Sequence, residues 1–191
     1  MSCKDIFVLW RGISMDKFDT YGRLLLEYNK VHRLSGAKDL SEVDANVEDS
    51  LYPMQFLDTK KLKTAVDIGT GAGFPGLILA MAYPHIRFTL VEPLMKRTAF
   101  LHLVKSTLEL DNVTIKGDRI ENITPFSADL ITSRAVAKTD ALIDLAKGFI
   151  GPQTVLLFYK GEGVHEELQP QWQSEVIRRG KRNYLFIKGL A

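Results

Sequence analysis

The stretch Val66–Gly76, VDIGTGAGFPG, decides the fold. It sets Asp67 two residues before Gly69, the first of three alternating glycines (Gly69, Gly71, Gly73), and places Pro75 at the head of the next segment. Before it runs TAVDIG, short and rich in branched residues like a buried strand; after it runs PGLILAMAY, apolar and of helical length. A strand that ends in glycines and passes directly into a helix is the first turn of a parallel βαβ unit. There, missing side chains let a ligand approach the backbone. Gly71-Ala72-Gly73-Phe74-Pro75-Gly76 also satisfies GxGxxG literally. Glu92 lies about 20 residues on, at the end of the next strand, as that fingerprint requires.

The same texture continues outward. RFTLVE, VTIKGD, DLITSR and TVLLFYKG are strand-like, and PLMKRTAFLHLVKSTLEL and AKTDALIDLAKGF between them have helical periodicity. This alternation predicts an α/β architecture with a Rossmann-like, mostly parallel sheet covered on both faces. SEVIRRG and RNYLFIKG, joined across Gly180-Lys181, predict a terminal hairpin that adds an antiparallel strand. Residues 1–57 read as an N-terminal helical segment packed on the core, and residues 58–191 as the ligand-binding domain. In DKFDTYGRLLLEYNKVHRL, Phe18, Tyr21, Leu24, Leu25, Tyr28 and Val31 form one apolar stripe, read as packing and not as base stacking. Ser35-Gly36 stops that helix, and Ser41 with Asp44 predicts a capping box for the next, which Pro53 helps to end.

Composition narrows the function classes. At 191 residues, 46% hydrophobic and 25% charged, the chain has the make-up of one globular domain. No apolar run approaches the roughly 20 residues that span a bilayer. MSCKDIFVLWRG carries Asp5 and only a brief apolar stretch, so a cytoplasmic protein without a secretory leader is expected. Cys3, the single cysteine, leaves no internal disulfide and no cysteine-based zinc site, and the four histidines lack ligand spacing, so no metal is expected. A net charge of +2 does not by itself imply nucleic acid.

Charge separates the ligands that the glycine turn could take. A pyrophosphate wants backbone N–H donors at a helix N-terminus, where Pro75 supplies none and Asp67 adds repulsion of order 1 to 4 kcal/mol. S-adenosylmethionine has no phosphate and carries a sulfonium and an ammonium, both attracted to a carboxylate. Glu92 would take its ribose hydroxyls. On this reading Asp67, Gly69, Thr70, Gly71, Gly73 and Phe74 form the cofactor turn. Asp118, Ile120 and Glu121, after the third strand, would stand beside adenine. The structural alternative is that Asp67 merely caps the next turn.

The acceptor is approached by elimination. Exocyclic amines meet an Asn/Asp-Pro-Pro-aromatic loop after the fourth strand, where this chain has Thr132-Ser133-Arg134-Ala135. Pyrimidine carbon-5 needs a cysteine nucleophile. A ring nitrogen such as guanine N7 has a free lone pair and needs no base. Arg134, ending the fourth strand, is a positioning candidate: its fork suits a cofactor carboxylate, a phosphate, or guanine O6 and N7, unless it forms a salt bridge to Asp118 or Glu121. Lys160 ends the fifth strand and is placed to meet RNA in the same way. Arg178-Arg179-Gly180-Lys181-Arg182 is the one dense basic cluster, suited either to grip an RNA backbone or to charge a solvated hairpin tip. Lys96 and Arg97 are further RNA-binding candidates. A nicotinamide-dependent oxidoreductase and a non-catalytic cofactor- or RNA-binding module are the alternative classes.

These residues resemble the RsmG (GidB) family. Carrying the likeness are Asp67 to Gly76, Val91-Glu92-Pro93 with Lys96-Arg97 and Phe100-Leu101, Ser133-Arg134-Ala135, and Lys160-Gly161. Tyr28-Asn29-Lys30 and Asp49-Ser50-Leu51 extend it upstream. The resemblance implies methylation of N7 of one guanine in 16S ribosomal RNA with S-adenosylmethionine as donor. A monomer acting on that RNA or on a small-subunit precursor is expected. It also implies that Gly69 and Phe74 line the cofactor site, Ile120 and Glu121 meet adenine, and Arg134 closes the pocket. The chain departs from the family pattern at Arg33-Leu34-Ser35 and at Asn46, where the family usually has histidine.

Overall fold

The computed structural model describes residues 3–190, with side chains from residue 16 onward. The expectations placed on Cys3 and on MSCKDIFVLWRG concern side chains outside the described residues. Strands β1 (Thr64–Ile68), β2 (Arg87–Val91), β3 (Val113–Lys116), β4 (Ala128–Arg134) and β5 (Ile150–Lys160) run parallel, and β6 (Gln173–Arg179) and β7 (Arg182–Lys188) form the terminal hairpin. The seven-stranded order is β3-β2-β1-β4-β5-β7-β6, with β7 antiparallel to both β5 and β6. The chain winds outward from β1 in both directions, so β1 and β4 flank the switch point where such sheets bind ligands.

Strand alternation builds two cores. Val66 and Ile68 of β1, Val91, Ile131 and Leu185 face one side, where they meet Leu142 and Ala146 of α5 (Thr139–Ala146). Ala65, Phe88 and Leu90 face the other. There α1 (Cys3–His32), α2 (Leu40–Leu51), α3 (Gly76–Ala82) and α4 (Met95–Thr107) share a single core that includes Tyr21, Val43, Leu77 and Phe100. Phe88 and Phe100 are fully buried, each worth roughly 2 to 3 kcal/mol of burial. Phe100→Ala would cost about 3 to 5 kcal/mol through the cavity it leaves.

The N-terminal stripe is packing as far as Tyr28, as its spacing predicts, but Val31 at its end is exposed. Tyr21 is buried, meets Phe74 edge-on at 5.5 Å, and donates its hydroxyl to the Ala72 carbonyl at 2.8 Å. Tyr28 leans on Phe100 at 5.3 Å. The helix α1 is thereby bonded to the glycine turn itself.

Three local expectations need correcting. The cap of α2 is not Ser41 with Asp44: Asp39 Oδ1 accepts the Glu42 N–H at 2.9 Å, and Glu42 Oε2 accepts the Lys38 N–H at 2.9 Å. The same reciprocal logic applies two residues earlier, because the helix starts at Leu40. The α1 stop lies at Arg33, whose φ of 48° turns the chain left-handed, while Ser35 is caught by Asn29: its N–H bonds Asn29 Oδ1 at 3.0 Å. Strand β5 begins at Ile150, four residues before the apolar run TVLL, with a register irregularity opposite β4 between Ala128 and Leu130. There Gly151 passes so close to Ser127 that an added Cβ would lie 1.9 Å from its hydroxyl. Among the described residues no helix is long and apolar enough to cross a membrane.

Candidate functional site

The glycine turn leaves β1 and doubles back over the sheet. The Gly69 and Thr70 N–H groups bond the Val91 carbonyl at 2.9 and 3.1 Å, which pins the turn against the end of β2. Gly69 (φ 67°), Gly71 (φ 62°) and Gly73 (φ 112°) all hold left-handed backbone. Their reasons differ. A Cβ on Gly69 would lie 2.5 Å from Val136, and one on Gly73 would lie 2.8 Å from Leu77 of α3. On Gly71 it would meet only the Gly69 carbonyl at 4.0 Å, otherwise open space. Gly73 thus serves helix packing, while Gly71 keeps the ligand side clear.

Asp67 lies behind this turn. It is fully buried, with Oδ2 accepting the Gly76 N–H at 2.9 Å and Oδ1 the Thr132 hydroxyl at 2.7 Å. Burial raises its pKa to about 6, against the hydrogen bonds from Thr132 and Gly76 and the charge of Arg134. Its contact is with the first amide of α3 and not with the cavity, so the turn-capping alternative describes its geometry. This corrects the expectation that Asp67 faces the cations of a cofactor, because both its oxygens are bonded within the fold and it does not line the cavity.

Above the turn opens a cavity of about 810 Å³, lined by Gly69, Thr70, Gly71, Phe74, Glu92, Arg97 and Arg134. Glu92 is 2% exposed; its Oε2 accepts the Gly71 N–H at 2.9 Å, and its Oε1 the Leu94 N–H at 3.0 Å. A carboxylate has about four lone-pair sites, so Glu92 keeps capacity for hydroxyl donors. Arg97 reaches it at 3.5 Å through Nη1, while its Nε is buried without a partner among the described residues. Arg134 lies over the Phe74 ring at 4.8 Å. Its Nη1 donates to Asn46 Oδ1 at 2.9 Å and to Asp49 Oδ2 at 3.3 Å. The salt bridge therefore forms with Asp49, not with Asp118 or Glu121.

The other candidates are dispersed. Asp118, Ile120 and Glu121 do not line this cavity: Ile120 is buried in the opposite core, and Ile120 and Glu121 edge a separate hollow beside α5. The Asn122 amide and Arg119 N–H hold the Asp118 carboxyl below its ordinary value. Lys160 is 8% exposed, with Nζ on the Ala137 carbonyl at 3.0 Å and on Glu167 at 2.7 Å. It anchors the loop after β4 and is closed to a phosphate backbone, which corrects the expectation that it meets RNA. Burial raises the Glu167 pKa, but bonds from Lys160 and Thr139 outweigh it and leave the carboxyl below its usual range. In the basic cluster, Arg179 pairs with Glu48 and covers the Tyr52 ring at 4.4 Å, and Arg182 Nε bonds Asp49 at 3.0 Å. Arg178 and Lys181 stay exposed. Lys96, also exposed, reaches the His32 carbonyl at 3.2 Å.

What sequence reasoning missed is the N-terminal wall. Leu34, Ser35, Gly36, Ala37, Glu42, Ala45 and Asn46 all line the cavity. Asn29 shapes that wall by donating to Ser35 Oγ at 3.0 Å and to the Ala37 carbonyl at 2.9 Å. The available signals were Asn29 ahead of a Ser-Gly-Ala loop, which implies a local turn, and the departures from the family pattern at Arg33-Leu34-Ser35 and Asn46; neither says which cavity these residues face.

This strand order, with an open cavity over the glycine turn at the β1 end, is that of a class I methyltransferase. The structure aligns with an MtNAS variant in complex with S-adenosylmethionine (TM-score 0.64, 14% identity, 94% of this chain and 77% of that one). It aligns also with a methyltransferase from Geobacter sulfurreducens (TM-score 0.61, 11% identity, 87% and 88%). Sequence is more specific: the GidB family, rRNA small subunit methyltransferase G, matches residues 14–188, and the chain belongs to it. It is 48% identical over 176 residues to Ribosomal RNA small subunit methyltransferase G of Wolinella succinogenes, spanning 92% of this chain and 90% of that one. The Aliarcobacter butzleri protein of the same name is 41% identical over 92% of each chain.

Proposed function

We propose that this protein methylates N7 of a guanine in 16S ribosomal RNA with S-adenosylmethionine as donor, in the cytoplasm and as a monomer. The observation that carries the choice of cofactor is the plugged helix: the first amide of α3 is bonded to buried Asp67 at 2.9 Å. A pyrophosphate seated there, as a nicotinamide dinucleotide requires, would displace or face a carboxylate. The literal GxGxxG is thus a glycine turn without its phosphate seat. An adenosine that brings hydroxyls instead finds Glu92, and the orphaned Arg97 Nε is a donor left for whatever fills the cavity.

Bound S-adenosylmethionine supplies a methyl group made electrophilic by its sulfonium. The chain's own part is positioning. Glu92 at the end of β2 and the turn after β1 define the adenosine side, and Arg134 at the end of β4 defines the other. Guanine N7 must keep its lone pair free, so an Arg134 N–H serves O6 or a cofactor carboxylate and not N7 itself. No base is needed, because N7 carries no proton. Asp118, Ile120 and Glu121 follow β3 outside the cavity lining, so an adenine role for them requires the cofactor to reach past Glu92 beyond that lining.

The relatives' names supply ribosomal RNA as the substrate class, and a second groove fits its backbone. Arg179, Lys181 and Arg182 line it with Asn46 and Asp49, and it shares Ala45 and Asn46 with the cofactor cavity. The test is incubation with labelled S-adenosylmethionine and small-subunit particles from a strain lacking the modification. Label on a guanine N7 is expected, and an active protein that labels another atom would overturn the assignment. Equilibrium dialysis in which NAD outcompetes S-adenosylmethionine would restore the oxidoreductase reading.

A further inference from the structure

We infer that Asp49 of α2 is a positioning residue for the methyl transfer, acting through Arg134; this rests on the function proposed above. The Asp49 carboxylate is a hub. Its Oδ2 accepts a hydrogen bond from Arg134 Nη1 at 3.3 Å, while its Oδ1 accepts from the Tyr184 hydroxyl at 2.9 Å and from Arg182 Nε at 3.0 Å. Asp49 and Arg134 side chains are both only 15% exposed, so solvent screens the pair less than a surface one.

The geometry fixes one edge of the guanidinium and leaves the rest for a ligand. Both hydrogen bonds of Arg134 leave from Nη1, and its carbon sits over the Phe74 face. Nε and Nη2 bond nothing among the described residues, on a side chain that lines the cavity. A guanidinium has five N–H donors in a rigid plane, so holding one edge and one face sets where the remaining donors point. Of the two groups bonded to Nη1, Asn46 is neutral and Asp49 carries the balancing charge. Tyr184 and Arg182 in turn fix the carboxylate to β7, one of the two strands of the basic hairpin. Asp49 thereby links the wall that faces RNA to the cation at the reacting end of the cavity.

The test is steady-state methylation of unmodified small-subunit particles by the full chain. It compares the parent, Asp49→Asn, Arg134→Lys, the double variant, and Asp49→Asn with Asn46→Asp. Asp49→Asn is expected to lower kcat by about ten- to a hundredfold, the cost of a donor misplaced by about an ångström, with KM for S-adenosylmethionine near the parent value. The double variant should fall no further than Arg134→Lys, since both changes act through one guanidinium. Asn46→Asp, whose Oδ1 position is 2.9 Å from Arg134 Nη1, should restore most of the loss. Parent-like kcat in Asp49→Asn, additive losses, or no rescue would each overturn the inference while leaving the function intact. A parent unable to methylate guanine N7 would overturn both. If Asp49→Asn does not fold, Asp49→Glu takes its place: a tenfold or greater loss of kcat supports the role, and parent-like turnover refutes it.

Discussion

Two residues of the glycine stretch carry opposite kinds of consequence. Gly71 has open space where its side chain would be, and its left-handed backbone is one that aspartate tolerates better than most residues. Gly71→Asp should therefore fold yet fill the cavity beside Glu92. Calorimetry should show a loss of S-adenosylmethionine affinity of about 3 kcal/mol, roughly a hundredfold. Unchanged affinity would move the cofactor elsewhere. Asp67 acts on stability instead. Its folded pKa of about 6 lies above the 3.8 of an ordinary aspartate. In the window between, the native state binds the proton and the unfolded chain does not, so stability falls as pH rises from about 4 to about 6 and is level above that. The effect is of order 3 kcal/mol. Asp67→Asn has no proton to lose. Unfolding curves of parent and variant should therefore diverge across that window, the parent losing ground as pH rises; parallel curves would contradict the buried, raised carboxylate.

At the scale of elements, the chain's strands were legible because burial on both faces writes itself as short branched runs. DLITSR and RNYLFIKG gave β4 and β7 almost to the residue. The glycine turn was legible too, since the left-handed backbone at Gly69 and Gly71 favours glycine. What sequence could not carry was pairing across distance. Arg134 meets Asp49, 85 positions away, and Arg179 meets Glu48, 131 away. Nothing in either neighbourhood prefers one acidic partner over Asp118 or Glu121. Lys160 misled for the same reason: a lysine at a strand end invites a phosphate, and only the 3₁₀ turn Glu162–Glu167 brings Glu167 back to cover it. Lys160→Met should accordingly cost about 2 kcal/mol of stability, as an ion pair with limited exposure is broken, and leave the salt dependence of RNA binding unchanged. A weaker salt dependence with unaltered stability would return Lys160 to the RNA surface.

The whole molecule is nearly neutral, with 25 basic and 23 acidic side chains, so any affinity for RNA must come from how charge is arranged. The hairpin cluster divides into two pairs. Arg179 and Arg182 are engaged by Glu48 and Asp49, which docks α2 against β6 and β7. Arg178 and Lys181 are exposed at the tip, and Lys181 edges the groove that runs beside Asn46 toward the cavity over the glycine turn. Neutralising one pair or the other should therefore separate fold from binding. Arg178→Gln with Lys181→Gln should leave the melting temperature within a few degrees. It should also lower the slope of log affinity against log salt by about 0.7 for each single-strand phosphate that is no longer neutralised. Arg179→Gln with Arg182→Gln should in addition lower the melting temperature, because Glu48 and Asp49 lose cations on partly buried surfaces. Filter binding to small-subunit RNA at a series of salt concentrations, beside scanning fluorimetry, reads both effects. An unchanged slope in the first variant would assign the tip to solubility and place the RNA path on another face.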